Sequence, residues 1–262
     1  MAKDNATSSD QLDDATSPFN IVRDAVLPAG VTLEAGEVQH HTPATTWRNL
    51  AGGARLSLTT GRVDWSVSGY RGFDGFGPIT LETTVTAGPA GPTVLGRLVE
   101  RHPRFTMVAA DLETVTGDWA WRAEAAFFPE RTLTSAASPG GARGRVVEAG
   151  AGFDRALGAT RLVGSVLVRR AWTDVDPALD ALDVNVVGSI ERTFSRERYR
   201  ARAFVVVNPA DASAFLRGVL AWSVRDNVSA EFSAGSFLGD GDDAIARFDG
   251  RDFVMAAFKY HF

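Results

Sequence analysis

Fourteen charged side chains recur at strand-like spacing along the chain: Arg55, Arg122, Arg161, Arg169, Arg200, Arg202 and Arg217, with Asp64, Asp111, Glu124, Glu148, Asp154, Glu191 and Glu231. Gathered on one face of a sheet, such a set can do one of two things. It can form an electrostatic constriction that filters small anionic or zwitterionic solutes. Alternatively, it can form cross-strand ion pairs that act as pillars and fill a narrow barrel. The near balance of signs favours pillars for most pairs. Arg198, Arg200 and Arg202 share one strand and read as a basic track, the best candidate for a selectivity element.

Other chemistries find little footing. The chain has no cysteine, which excludes disulfides, thiolate metal sites and Cys nucleophiles. Its histidines (His40, His41, His102 and His261) belong to no recognisable motif with Ser and an acid. A phospholipase-like barrel would need Ser and His on the lipid-facing wall. His261 counts to the other face, and no Ser can be placed beside His40 and His41. No enzymatic activity and no cofactor are therefore expected. The loop Asp240-Gly-Asp-Asp243 fails the spacing of a Ca²⁺-binding EF-hand and reads as a solvated turn, so no metal is expected either. A net charge of −5 gives no footprint for nucleic acid.

The elements that must position these charges are strands. No run approaches the roughly 18 apolar residues of a spanning helix, and a mean hydropathy of −0.05 suits a soluble domain or a barrel whose two faces average out. A period of two recurs in hairpins. Ala54, Leu56 and Leu58 turn through Thr60-Gly61 into Val63, Trp65 and Val67. Val108, Ala110 and Leu112 lead into Trp119, Trp121, Ala123, Ala125 and Phe127. Val147, Ala149, Ala151 and Phe153 precede Leu162, Gly164, Val166 and Val168. Val184, Val186, Gly188, Ile190 and Phe194 are followed by Tyr199, Ala201, Ala203, Val205 and Val207. Leu216, Gly218, Leu220, Trp222 and Val224 run on to Val228, Ala230, Phe232 and Ala234.

The final strand alternates Val254, Ala256, Phe258, Tyr260 and Phe262. Tight turns within hairpins alternate strictly with long Gly-, Pro- and Asp-rich connections at 72–103, 129–143, 174–181 and 239–250. This layout predicts an all-β, transmembrane, antiparallel up-and-down barrel of about twelve strands, in a range of roughly ten to fourteen, with short periplasmic turns and long extracellular loops. Residues 31–38 supply the twelfth strand, which starts in the periplasm. The expected organisation is a flexible segment over 1–30 and a single barrel domain over 31–262. The amino terminus has no apolar core of a signal peptide, so the export signal is expected to be absent from this chain.

The apolar set is expected to face lipid. It mixes small and large residues, as in Leu216-x-Gly218-x-Leu220, where a packed core would interdigitate. Its aromatics (Trp65, Trp119, Trp121, Phe153, Phe194, Tyr199, Trp222, Tyr260 and Phe262) cluster beside the tight turns, as a membrane-interface girdle would. Reversing the register would put Arg200 and Arg202 into lipid, at roughly 2–4 kcal/mol each at the midplane. Arg170 and Arg192 count outward near strand ends, where the cost is about 0–1 kcal/mol and a long side chain can snorkel.

A strand ending on an aromatic carboxyl terminus resembles the closing strand of Gram-negative outer-membrane β-barrels. The loop Ser236-Phe-Leu-Gly-Asp-Gly-Asp-Asp243, the pairs Arg247-Phe248 and Asp252-Phe253, the ending Tyr260-His261-Phe262, the strand Arg122-Ala-Glu-Ala-Ala-Phe127 and the pair Ala110-Asp111 are similar to porin-like barrels of the alginate-export and related uncharacterised families. That resemblance implies a bacterial outer-membrane location and passive passage of small polar or anionic solutes. It implies contact with bilayer and lipopolysaccharide, and recognition of the C-terminal strand by the barrel-insertion machinery. A closed structural or adhesive barrel, and a soluble ligand-binding β-barrel, are the alternatives.

Overall fold

The computed structural model describes residues 31–33, 39–75, 77, 79–88, 91–135, 138–174, 181–240 and 243–260. The expected segment 1–30, His261 and Phe262 lie outside these residues. Period-two alternation becomes strand almost throughout. In chain order the strands are β1 (Val31–Leu33), β2 (Gln39–His41), β3 (Gly52–Thr60), β4 (Val63–Phe73), β5 (Ile79–Gly88), β6 (Gly91–Arg101), β7 (Arg104–Thr116), β8 (Trp119–Ser135), β9 (Ser138–Leu157), β10 (Thr160–Thr173), β11 (Leu182–Phe194), β12 (Tyr199–Asn208), β13 (Ser213–Arg225), β14 (Val228–Leu238) and β15 (Phe253–Tyr260). Eleven of them form one antiparallel sheet in the order β15-β14-β13-β12-β11-β10-β9-β8-β7-β4-β3.

Local chemistry explains the tight turns. Gly61, Gly117 and Gly158 each open a two-residue connection at φ of 64°, 60° and 58°. Glycine reaches this region without steric cost, and a positive φ at the first central position matches the twist of the flanking strands.

Four expectations are corrected. Of the expected twelfth strand, residues 31–33 form β1, which, like β2, pairs parallel with β6 and not with the large sheet; residues 34–38 lie outside the described residues. The connection 72–103 is not a plain loop, because β5 and β6 form an antiparallel hairpin within it. The connection 129–143 is mostly strand, as β8 and β9 continue past a bulge between Phe128 and Arg131. Strict alternation of connection lengths also fails, since only four residues, 209–212, join β12 to β13.

Among the described residues the sheet is open. β3 pairs only with β4, and β15 only with β14. Both edge strands run the same way. β3 leads into the turn at 61–62, and β15 runs antiparallel to β14, which starts at the turn 226–227.

Candidate functional site on the charged face

Paired residues in an antiparallel ladder lie on the same face, so the register can be followed across the sheet. One row reads Leu58, Trp65, Leu112, Ala123, Ala151, Val166, Val186, Val207 and Ala214. Another joins Phe194, Tyr199, Trp222, Ala230 and Phe258. The apolar set therefore shares one continuous face over eleven strands. Much of it is exposed, up to 75% for Phe258 and 88% for Val254.

Eight of the nine expected aromatics lie on this face; Phe262 lies outside the description. Trp119 stacks on Trp121 at 5.4 Å with Phe153 edge-on to Trp119 at 5.2 Å, and Tyr199 stacks between Phe194 and Trp222 at 5.6 and 6.1 Å. Trp65 donates its indole N–H to Thr60 Oγ1 at 3.2 Å, and Tyr260 stands opposite Val228. Arg170 and Arg192 fall on the apolar face as expected. Arg71, Arg145 and Arg155 join them there, and Arg155 lies over the Trp119 ring at 4.6 Å.

All fourteen charged residues fall on the opposite face. The buried residues of the large sheet also gather there, including Ser66, Phe128, Val146, Ala171, Asn208, Ser213 and Ser233, with Ala230 the exception. The Asp243 loop covers part of this face, over Asn208 and Ser213.

Twelve of the fourteen charges have partners. Arg55 Nη2 donates to both oxygens of Asp111 at 2.9 and 3.0 Å, and Ser66 also donates to that carboxylate. Arg161 Nε bridges the two oxygens of Asp154 at 3.0 Å each. Arg122 pairs with Glu113 at 3.2 Å, a partner absent from the expected set. Arg202 donates to Glu191 at 2.8 and 2.5 Å, and Arg200 approaches the same carboxylate at 3.7 Å. Glu231 lies 4.0 Å from Arg217 and 3.6 Å from Lys259. Thr59 donates to Asp64 at 2.6 Å.

Arg169 and Glu124 alone of the fourteen make no hydrogen bond or ion pair among the described residues. The register sets Arg169 between Glu148 and Asp183, but both carboxylates are engaged elsewhere. Arg131 Nη1 donates to Glu148 at 2.8 Å, while the Asn185 and Asn208 amides donate to Asp183 at 2.9 and 3.2 Å. The bulge explains this. By simple alternation Arg131 would share the face of Phe127; one extra residue re-aims it, so it stands opposite Gly144 on the charged face. Pro129, which cannot donate to a ladder, lies inside the bulge. Arg169 Nη1 is left buried without a partner.

The charged face also carries apolar clusters. Toward the long-connection end, Phe128, Leu133, Val146 and Ala171 form a cluster joined by Phe105 and Met107. Phe215 packs on Phe237 at 4.5 Å and on Phe253 at 6.5 Å. The acidic loop contributes Asp243, which accepts from Ser213 Oγ at 2.5 Å, Asn208 Nδ2 at 3.2 Å and the Ala246 N–H at 2.8 Å. It works as a loop anchor. No three metal-ligating side chains meet among the described residues. His40 pairs with Glu100, and His102 Nδ1 meets the Asp74 carbonyl at 2.7 Å.

Comparison with known proteins finds no matching family model and no matching curated protein.

Proposed function

We propose that this chain is a bacterial outer-membrane β-barrel that passes small polar or anionic solutes, with the charged face lining its lumen and the apolar face in lipid. Its likeness to porin-like barrels of the alginate-export and related families is part of that reading. The observation that carries it is the exposed apolar face, continuous through ten ladders. An exposed apolar area of that extent marks an interaction surface, and a bilayer with its lipopolysaccharide is a partner that covers such a wall evenly.

The outward arginines fit the same reading. Arg145 and Arg155 bracket the apolar stretch of β9, ten residues apart. That separation is about 33 Å along a strand, or about 25 Å in height at the tilt usual in barrels, the height of an outer-membrane apolar band. Recognition of the C-terminal strand by the insertion machinery belongs to this proposal.

Planar-bilayer recording tests it. Discrete conductance steps from the purified protein are expected, and no current above background would retire the channel. Folded, monodisperse protein in detergent-free buffer would retire the membrane reading altogether. A second reading, a closed barrel with a structural or adhesive role, is favoured by one observation: the Phe105–Phe128 and Phe215–Phe237–Phe253 layers on the charged face at the long-connection end. Bilayer insertion without conductance is its signature.

A further inference from the structure

We propose that the charged face carries a binding site for a zwitterion, an α-amino acid with an apolar side chain, held by its carboxylate at Arg169 and its ammonium at Glu124. These two, the only members of the charged set without partners among the described residues, line the same cavity of about 500 Å³. That volume lies in the range of small-molecule sites. An unpaired arginine is an anchor for a carboxylate, and an unpaired carboxylate is one for an ammonium group.

The other charges lining the cavity are occupied: Asp111 by Arg55 and Ser66, Glu148 by Arg131, and Asp183 by two amides. They supply fixed walls and leave one positive and one negative group available. Arg169 has the stronger claim to a ligand, because its buried Nη1 lacks a hydrogen bond, and a buried unsatisfied donor is costly. Further N–H groups of its guanidinium remain to meet a carboxylate.

Geometry sets the span between the two anchors. Glu124 stands on β8 and Arg169 on β10, with β9 between them. Arg169 pairs across β9 with Glu148, which pairs with Ala126, so Glu124 is one same-face position further toward the tight turns. Between the anchors lies Gly150, opposite both Glu124 and Leu167, which contributes no side chain. A Cβ there would lie 3.0 Å from Leu167 Cδ2 and 3.7 Å from Glu124 Oε1. The rest of the lining is apolar at Met107, Phe128 and Leu167. An apolar wall beside separated charges of opposite sign matches an aliphatic amino acid better than a simple anion or cation.

This deepens the channel reading by naming a solute class, and rests on it for access to the cavity. Calorimetric titration of detergent-solubilised protein tests the site without needing conductance. The probes are L-leucine, 3-methylbutylamine (leucine without its carboxylate) and 4-methylpentanoate (leucine without its ammonium). Leucine is expected to bind, and each analogue about tenfold or more weakly, since each leaves one charged anchor unanswered. R169Q should weaken leucine to the level of the amine, and E124Q, at an exposed position, to that of the carboxylate. Saturable leucine binding by wild type that R169Q and E124Q leave unchanged would overturn the assignment, as would equal binding of leucine and either analogue. Channels that conduct but bind no leucine would sink the site and spare the channel. Selective leucine binding without conductance would do the reverse.

Discussion

Glu148 stands directly across from Arg169 in the β9–β10 ladder, yet its carboxylate accepts from Arg131 Nη1 at 2.8 Å. Arg169 is thus kept available by a competitor that the β8 bulge turns onto the charged face. Removing the competitor should close the site. In R131Q, Glu148 is expected to swing to Arg169, and leucine affinity to fall by about tenfold with both anchors intact, the scale of a charged hydrogen bond. Calorimetry on R131Q and on R131Q/E148Q checks this, because the second substitution should restore binding. A double variant as weak as the single one would show that Glu148 does not control Arg169.

The apolar face makes a depth-dependent prediction. Val166 stands opposite Ala151, midway along the stretch between Arg145 and Arg155, whereas Leu162 stands opposite Arg155 itself. In liposomes V166R should cost roughly 2–4 kcal/mol and L162R about 0–1 kcal/mol. Denaturant titration of the reconstituted protein measures both. Equal costs would argue that no bilayer midplane crosses this face.

Arg200 and Arg202 share Glu191, so two cations stand against one carboxylate on that strip. Substituting both with Gln should move the reversal potential in a salt gradient toward cation selectivity. An unchanged potential would reduce the pair to structural filler.

Phe153 covers its cross-strand neighbour Gly164: a Cβ there would lie 2.6 Å from Phe153 Cε1. The ring also touches Trp119 and Trp121. G164A is therefore expected to displace the ring, shift tryptophan emission and cost about 1–3 kcal/mol. In an F153A background the same change should be close to neutral, and a double-mutant cycle separates the two cases. Matching losses in both backgrounds would mean that the ring is not the obstacle.

The large sheet was legible because its faces differ so sharply. Runs such as Trp119-x-Trp121-x-Ala123 and Tyr199-x-Ala201-x-Ala203 predict their own facing, and the register joins the predicted faces without a slip along these runs. The glycines at 61, 117 and 158 marked three turns. The β5–β6 hairpin was missed because its Thr-rich alternation between Gly and Pro clusters also reads as loop. The vacancy at Arg169 was hidden for another reason. Alternation assigns Arg131 to the apolar face, and only the bulge, which has no period, carries it across to Glu148.

The shared direction of β3 and β15 bears on self-association. On the proposed membrane reading, with every copy inserted in one orientation, each edge among the described residues runs from the long connections to the tight turns. Any meeting of two such edges, within one molecule or between two, is parallel. The antiparallel pattern of the other ten ladders cannot be extended by a second copy, and parallel pairing is slightly weaker per residue. An open edge usually invites runaway polymerisation; here strand polarity makes another copy a poor template and reserves the best-matched seam for a segment that runs the opposite way.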